Sequence, residues 1–334
     1  MKPIGEIFAN SRPDVRQSSQ MKTAITDSPI DAASYIKTGG IVAFPTETVY
    51  GLGADVFNES AIEKIFIAKN RPADNPLIAH VASLDQLGLL AAEVTDSAVS
   101  FLEHFSPGPL TVVLRKSERV SALVTAGLDT IGIRIPRNEI AREFLRTCAT
   151  PVAAPSANLS GRPSPTTWQA VLEDLDGRVD CILKGEATEI GLESTVVDCT
   201  GAVPILLRPG AISLEDLRSV VPSTKAFDAS ETSVVVSSPG MRHQHYSPKA
   251  NVILIDVQQT VDESRTAAYI GLTPRSETFA LAKICVSLDD YAQNLFEFFR
   301  ESDRFDIRTV YCEKVETVGI GTALMDRLRR AAEK

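Results

Sequence analysis

The stretch GGIVAFPTETVYGLGADVFNESAIEKIFIAKNRPADNPLIA, residues 39–79, governs how the rest of the chain reads. Ile41 to Phe44 is an apolar run between a glycine pair and Pro45, the pattern of a buried strand. Pro45 ends it, and Thr46, Thr48 and Tyr50 then place hydroxyls at alternate positions. Gly51 and Gly53 let backbone approach something closely. Asn58 is placed to cap a helix whose inner face carries Ile62, Ile65 and Phe66. Pro72 biases Arg71 away from helical backbone. Lys69 and Arg71 are therefore expected to leave the helix in extended chain, with both side chains on one side. Two cations aimed together beside a hydroxyl- and glycine-rich turn suit an anion, most simply a phosphate. The plainer alternative is a strand, a turn and a solvated Lys/Arg pair.

A chain of 334 residues predicts two domains, and its 44% hydrophobic and 23% charged content is that of a soluble globular protein. The net charge of −9 argues against a protein whose main act is coating nucleic acid, while leaving room for a local basic cleft. Cys148, Cys181, Cys199, Cys285 and Cys312 are widely spaced and form no CxxC pair, which speaks against a zinc ribbon or a disulfide framework and for a reducing cytoplasm. No apolar run reaches the length of a membrane span. Residues 1–21 lack the apolar core of a signal peptide and read as a poorly ordered extension.

Outward from the opening stretch, Pro29 to Lys37 reads as a helix capped by Ser28, and Pro76 to Val81 as a second buried strand carrying His80, a structural or a binding residue. Leu84 to Ala92 and Asp96 to His104 read as amphipathic helices, and Leu110 to Leu114 as a strand. Thr130 to Ile135 is a strand with Arg134 in apolar surroundings; its partner is either a protein carboxylate or a ligand carboxylate or phosphate. Asn138 to Thr147 is a helix. The run PVAAPSANLSG, residues 151–161, is a strand ending in Ser156, Asn158 and Ser160, polar groups where open α/β sheets place ligands. Ser164 or Thr166 either caps the following helix or meets a phosphate at its N-terminus. Glu193 to Cys199 and Val203 to Arg208 read as a hairpin. Residues 222–250 read as an interdomain linker containing SPGMRHQHYSP, residues 238–248; Tyr246 there suits stacking on a base, and His243 and His245 lack the further ligands a metal needs. Strands and helices then alternate from Asn251 to Ala332, the pattern of a small α/β domain.

Four segments together, PTETVYGLG (45–53), KNRPADNPL (69–77), APSANLSG (154–161) and ESTVVD with LRPG (193–198 and 207–210), resemble the YrdC-domain threonylcarbamoyl-AMP synthase family. The linker and the C-terminal segment make the chain look like that family's longer, two-domain branch. The resemblance implies an α/β fold: an open, twisted YrdC-like (DHBP synthase-like) domain with a large cavity, then a smaller Rossmann-like α/β domain. On this chain the boundaries fall at 22–221 for the catalytic domain, 222–250 for the linker or lid, and 251–334 for the C-terminal domain. The implied reaction joins L-threonine, bicarbonate or CO₂ and ATP into threonylcarbamoyl-AMP and pyrophosphate, the first step of a tRNA adenosine modification. The implied catalytic set is Lys69, Arg71, Ser156 and Asn158. Further ATP contacts fall on Asn75, Thr130, Ser164, Arg208 and Tyr246. Threonine contacts fall on Thr48, His80, Arg134, the Ala154 backbone and Ser194. Mg²⁺ is expected with ATP, with no protein metal site and no tightly bound organic cofactor. Implied partners are proteins that transfer the threonylcarbamoyl group to tRNA, with a weak tRNA contact, no membrane and a cytoplasmic setting. Lys184-Gly185-Glu186 and His243-Gln244 depart from the family's common pattern. Two other readings compete: synthesis of another carbamoyl-adenylate, and an RNA-binding translation factor without adenylate chemistry.

Overall fold

Local signals set most of the helix starts. Ser28, Asn58, Thr95, Asn138, Thr167, Ser213 and Ser287 each accept a hydrogen bond from a first-turn amide, so an orphan donor is satisfied at each N-terminus. The computed structural model describes residues 22–228, 247–261 and 264–333. Its strands are β1 (Ala24–Thr26), β2 (Val42–Phe44), β3 (Gly51–Asp55), β4 (Ile78–His80), β5 (Leu110–Arg115), β6 (Thr130–Arg134), β7 (Val152–Ala154), β8 (Cys181–Leu183), β9 (Thr195–Asp198), β10 (Ile205–Arg208), β11 (Lys225–Ala226), β12 (Asn251–Ile255), β13 (Ala268–Gly271), β14 (Leu281–Ile284) and β15 (Thr309–Glu313). Its helices are α1 (Pro29–Lys37), α2 (Glu59–Lys69), α3 (Leu87–Leu90), α4 (Asp96–Phe105), α5 (Ala122–Thr125), α6 (Glu139–Cys148), α7 (Trp168–Leu175), α8 (Leu214–Val220), α9 (Leu288–Arg304) and α10 (Ile320–Ala332).

The first eleven strands form one mixed sheet in the order β1-β8-β2-β3-β7-β4-β6-β5-β9-β10-β11. Helices α2, α3 and α4 contribute Ile62, Ile65, Leu90, Phe101 and Leu102 to its main core, and α1 and α6 contribute Ile36, Phe144 and Leu145 to a second cluster beside Phe44. The last four strands form a separate, all-parallel sheet, β12-β15-β13-β14, covered by α9 and α10. Its core takes in Val49 and Leu192 from the first unit, so the two units share apolar packing.

Several expectations need correction. Gly51 to Asp55 is a strand rather than a turn. Its glycines admit protein: a Cβ on Gly53 would lie 2.5 Å from Val152 Cγ1 and 2.9 Å from Phe44 Cε1. Lys69 is the last residue of α2 and does not lie in extended chain beyond it; Asn70, at φ 51°, makes the left-handed turn that ends the helix. The helix expected from Leu84 to Ala92 is a 3₁₀ turn at Leu84–Gln86 followed by the single turn of α3, because Ser83 makes no side-chain cap and Gly88 weakens the interior. Neither Ser164 nor Thr166 caps α7; Thr167 does. The first sheet runs on to β11, past residue 221 and into the span read as linker. Within that span, Tyr246, His243 and His245 lie outside the described residues, as do residues 1–21.

Replacing Gly53 by Ala is expected to overpack a site whose neighbours, Val152 and Phe44, are themselves buried. The expected cost is about 1–3 kcal/mol, read as a lower urea midpoint; an unchanged midpoint would show that β3 and β7 can part to admit the methyl.

Candidate functional site

A cleft lies across one face of the first sheet. Ile78 and His80 of β4 point to the same side, since alternate strand residues share a face. In register beside them stand Ala154 of β7 and Arg134 of β6. The turn after β2 supplies Thr46, Thr48, Val49 and Tyr50, and the loop after β7 supplies Pro155, Ser156, Asn158, Arg162 and Ser164. Glu193, Ser194, Arg208 and Arg71 complete the walls, and with its open mouth the cleft encloses about 670 Å³.

Arg134 finds its anion within the protein. Its guanidinium donates to Glu47 Oε1 at 2.7 Å and to the Thr48 hydroxyl at 2.8 Å. Glu47 Oε2 in turn accepts from the Arg137 amide at 3.0 Å and, more weakly, from the Asn138 amide at the start of α6. Burial pushes the Glu47 carboxyl up, but Arg134 and these amides outweigh it and hold the pKa below the usual value. His80, packed edge-on against Phe44, is pushed down to about 3 by burial and by Arg134, so its imidazole is neutral. The hydroxyls of the turn are committed: Thr46 donates to the Val49 carbonyl at 2.7 Å, and Tyr50 donates to the Gly185 carbonyl at 3.0 Å.

Lys69 is 1% exposed and does not line the cleft; it lies beneath it. Its ammonium donates to the carbonyls of Ser156 (2.5 Å) and Asn158, and more weakly to Asn158 Oδ1 (3.4 Å). Burial and the nearby Arg71 lower its pKa. Three acceptors nevertheless match the three donors of the charged form, where a neutral amine has two. Ser156 Oγ donates to Asn158 Oδ1 at 2.5 Å, so the two polar residues of the loop are locked to each other and to α2. Arg71 donates to the carbonyls of Asn75 and Pro76, each at 3.2 Å. Arg208 donates to Ser194 through its carbonyl (3.0 Å) and its hydroxyl (3.1 Å). Glu193 accepts from Ser164 Oγ at 2.6 Å and from Arg327 at 2.9 Å, and despite its burial Arg327 and Arg208 keep its pKa low.

Of the residues singled out from the sequence, Thr48, Arg71, His80, Arg134, Ala154, Ser156, Asn158, Ser164, Ser194 and Arg208 meet in this cleft. Asn75 is buried beside it and holds Arg71 through its carbonyl. Thr130 stands apart, at the other end of β6 from Arg134 and opposite Arg115. Glu47, Arg162 and Glu193 were not singled out. Glu193 opens the quoted ESTVVD segment, and Glu47 stands between two hydroxyl residues of the quoted turn; an acidic residue inside each anion-binding motif was the available signal.

Fold and cleft together define an α/β protein that gathers arginines, hydroxyls and a neutral imidazole in a partly desolvated pocket. The Sua5/YciO/YrdC family model, described as Telomere recombination, matches residues 34–210, and a model described as Threonylcarbamoyl-AMP synthase, C-terminal domain, matches residues 212–333. The chain is 42% identical over 318 residues to the threonylcarbamoyl-AMP synthase of Pyrococcus abyssi, covering 90% of this chain and 93% of that one. It is 38% identical to the Bacillus subtilis protein of the same name, covering 90% and 92%. The crystal structure of P. abyssi Sua5 complexed with L-threonine superposes with a TM-score of 0.84 at 40% identity, covering 93% of this chain and 97% of that chain. Escherichia coli YciO shares the fold, with a TM-score of 0.52 at 23% identity over 59% of this chain and 98% of that one. The chain belongs to the Sua5/YciO/YrdC family, in its two-domain Sua5 branch.

The buried imidazole gives a stability signature. An unfolded histidine titrates near 6.5, whereas His80 stays neutral until about 3, so below pH 6.5 the unfolded chain binds the extra proton and stability falls with pH. From pH 7 to pH 5 this group alone is expected to remove roughly 2 kcal/mol. A His80→Gln variant should lose that share of the slope in urea titrations at the two pH values; an identical slope would mean that His80 titrates normally in the fold.

Proposed function

We propose that the chain combines L-threonine, bicarbonate or CO₂, and ATP into threonylcarbamoyl-AMP and pyrophosphate. The observation that carries this reading is the meeting, in one cleft, of two sets of groups from distant segments. Arg71, Ser156, Asn158, Ser164 and Arg208 suit the phosphates of ATP; Thr48, His80, Arg134, Ala154 and Ser194 suit an amino acid. A structure similar over nearly the whole chain was solved with L-threonine.

In this reading the amine nitrogen of threonine bonds to the carbon of CO₂ and gives up a proton to water. A carbamate oxygen then bonds to the α-phosphorus, and the bond from that phosphorus to the β-phosphate oxygen breaks with its electron pair, releasing pyrophosphate. No side chain is required as a covalent nucleophile. The protein's part is positioning and charge neutralisation. Arg71 and Arg208 offset phosphate charge, the loop locked by Lys69 presents Ser156 and Asn158, and Arg134 with Thr48 receives the threonine carboxylate. The neutral His80 lines the amino-acid side without adding a second charge beside Arg134. Glu193 is the carboxylate among the described lining residues, and both of its oxygens already accept hydrogen bonds. No cluster of three acidic, histidine or cysteine residues among the described residues could seat a metal. Mg²⁺ enters the reading as part of the MgATP substrate.

The product is a mixed anhydride, so its consumer must be an acyl-transfer system. We assign that role to proteins that place the group on tRNA in the cytoplasm; no helix of the described residues is long and apolar enough to cross a membrane. An RNA-coating role is disfavoured by the net charge of −9.

Mass spectrometry of a reaction with ATP, Mg²⁺, bicarbonate and L-threonine tests the reading: a threonine-dependent threonylcarbamoyl-AMP peak is expected, and ATP left intact would reject it. Arg71→Ala is expected to lower threonine-dependent pyrophosphate release by about 100-fold with the fold retained; full activity would remove Arg71 from the site.

A further inference from the structure

The second unit reaches beneath the cleft with two buried arginines. Arg300, on α9, is 2% exposed and Arg327, on α10, is fully buried. Arg300 grips Asp174 of α7 with both terminal nitrogens, at 3.1 and 2.9 Å, and also donates to the Pro163 carbonyl at 2.6 Å. The same carboxylate accepts from Arg162 at 2.6 Å and from the Leu159 amide at 3.1 Å. The Arg162 carbonyl accepts from Asn158 Nδ2 at 2.8 Å, and Asn158 is locked to Ser156. One continuous set of contacts thus runs from α9 to the loop that presents Ser156 and Asn158. Arg327 makes the second arm: it donates to Glu193 Oε2 at 2.9 Å and to the Pro209 carbonyl at 3.1 Å. Glu193 holds Ser164, and Pro209 follows Arg208. Between the two arms, a Cβ on Gly191 would come within 2.4 Å of the α9 backbone at Gln293, so the segment leading to Glu193 lies directly on that helix.

We propose that Arg300 and Arg327 are positioning residues of the reaction, through which the small domain fixes the nucleotide side of the cleft. The residues at the ends of both arms, Ser156, Asn158, Ser164 and Arg208, are those assigned above to ATP. On the amino-acid side, Thr48, His80 and Arg134 are set by Glu47, β4 and β6 and lie off the Arg300 arm, whereas Ser194, next to Glu193 and bonded to Arg208, is reached by the Arg327 arm. The assignment of substrates to the two sides rests on the reading given under Proposed function. The small domain is then a fixed wall of the catalytic site; losing either clamp loosens ATP, and losing the Arg300 clamp spares threonine.

The test uses the full chain with Arg300→Lys and Arg327→Lys, which keep the charge but lose the planar fork that holds Asp174 through two nitrogens, or Glu193 and the Pro209 carbonyl through separate ones. Arg304→Ala serves as control, since Arg304 ends the same helix in ion pairs at the surface. The Lys variants are expected to keep the wild-type circular dichroism spectrum. Both should raise KM for ATP about tenfold, while in Arg300→Lys, whose arm ends on Ser156 and Asn158, KM for threonine stays within about twofold. Calorimetric binding of α,β-methylene-ATP, which needs no turnover, should weaken by the same factor, and the control should match wild type. Unchanged nucleotide affinity in the folded Lys variants would overturn the proposal. Equal weakening of ATP and threonine in Arg300→Lys, with a lowered melting temperature, would reduce that clamp to a general stabiliser and overturn the proposal as well. If wild type bound the analogue but formed no adduct, the functional reading would fail while the binding comparison still decided the clamp.

Discussion

The cleft depends on one buried ammonium. Lys69 stands at the end of α2, out of water, and its charge is matched by the carbonyls of Ser156 and Asn158. This contact ties the opening strand–turn–helix segment to the loop after β7. A charge so placed tolerates no slack, because an unpartnered buried ion costs several kcal/mol. The loop therefore has little freedom to move away from α2, and its Ser156 and Asn158 side chains are held in mutual contact before any ligand arrives. Such pre-organisation lets binding energy be used on the transition state instead of on ordering the site.

Charges around the cleft are answered in pairs. Arg134 is answered by Glu47, Arg162 by Asp174, and Glu193 by Arg327. Arg71 is oriented by the carbonyls of Asn75 and Pro76, and Arg208 by Ser194, with the Glu193 carboxylate near enough to feel its charge. On the assignment proposed above, the triphosphate would face Arg71 and Arg208, and the amino acid would face the Arg134–Glu47 pair. His80, held neutral, adds no second charge beside Arg134.

Local chemistry in the sequence located much of this. Caps at Ser28 and Asn58 fall where the residue types place them, and most of the cleft residues lie in segments whose polar groups end an apolar run. What local pattern does not contain is pairing across the chain. Arg134 reads as needing an anion, but Glu47 lies 87 positions away, and Arg300 meets Asp174 across 126 positions. The glycines of β3 read as a turn because their lack of side chains is local information, whereas the Phe44 and Val152 side chains that need the space come from neighbouring strands. Lys69 reads as a cation leaving the helix toward an anion because the carbonyls of Ser156 and Asn158 that take its charge come from a distant segment. In each case the missing term was tertiary: which group a buried charge or a bare backbone meets.

The central claim is that this cleft directs a carbamate oxygen onto the α-phosphorus of ATP. The most direct measurement supplies oxygen-18 bicarbonate with L-threonine and unlabelled ATP, then splits the adduct with an amine that attacks its carbonyl carbon. The account predicts that the AMP released carries one oxygen-18 atom on its phosphate, because that oxygen came from the carbamate. Unlabelled AMP, or ADP in place of AMP and pyrophosphate, would contradict it.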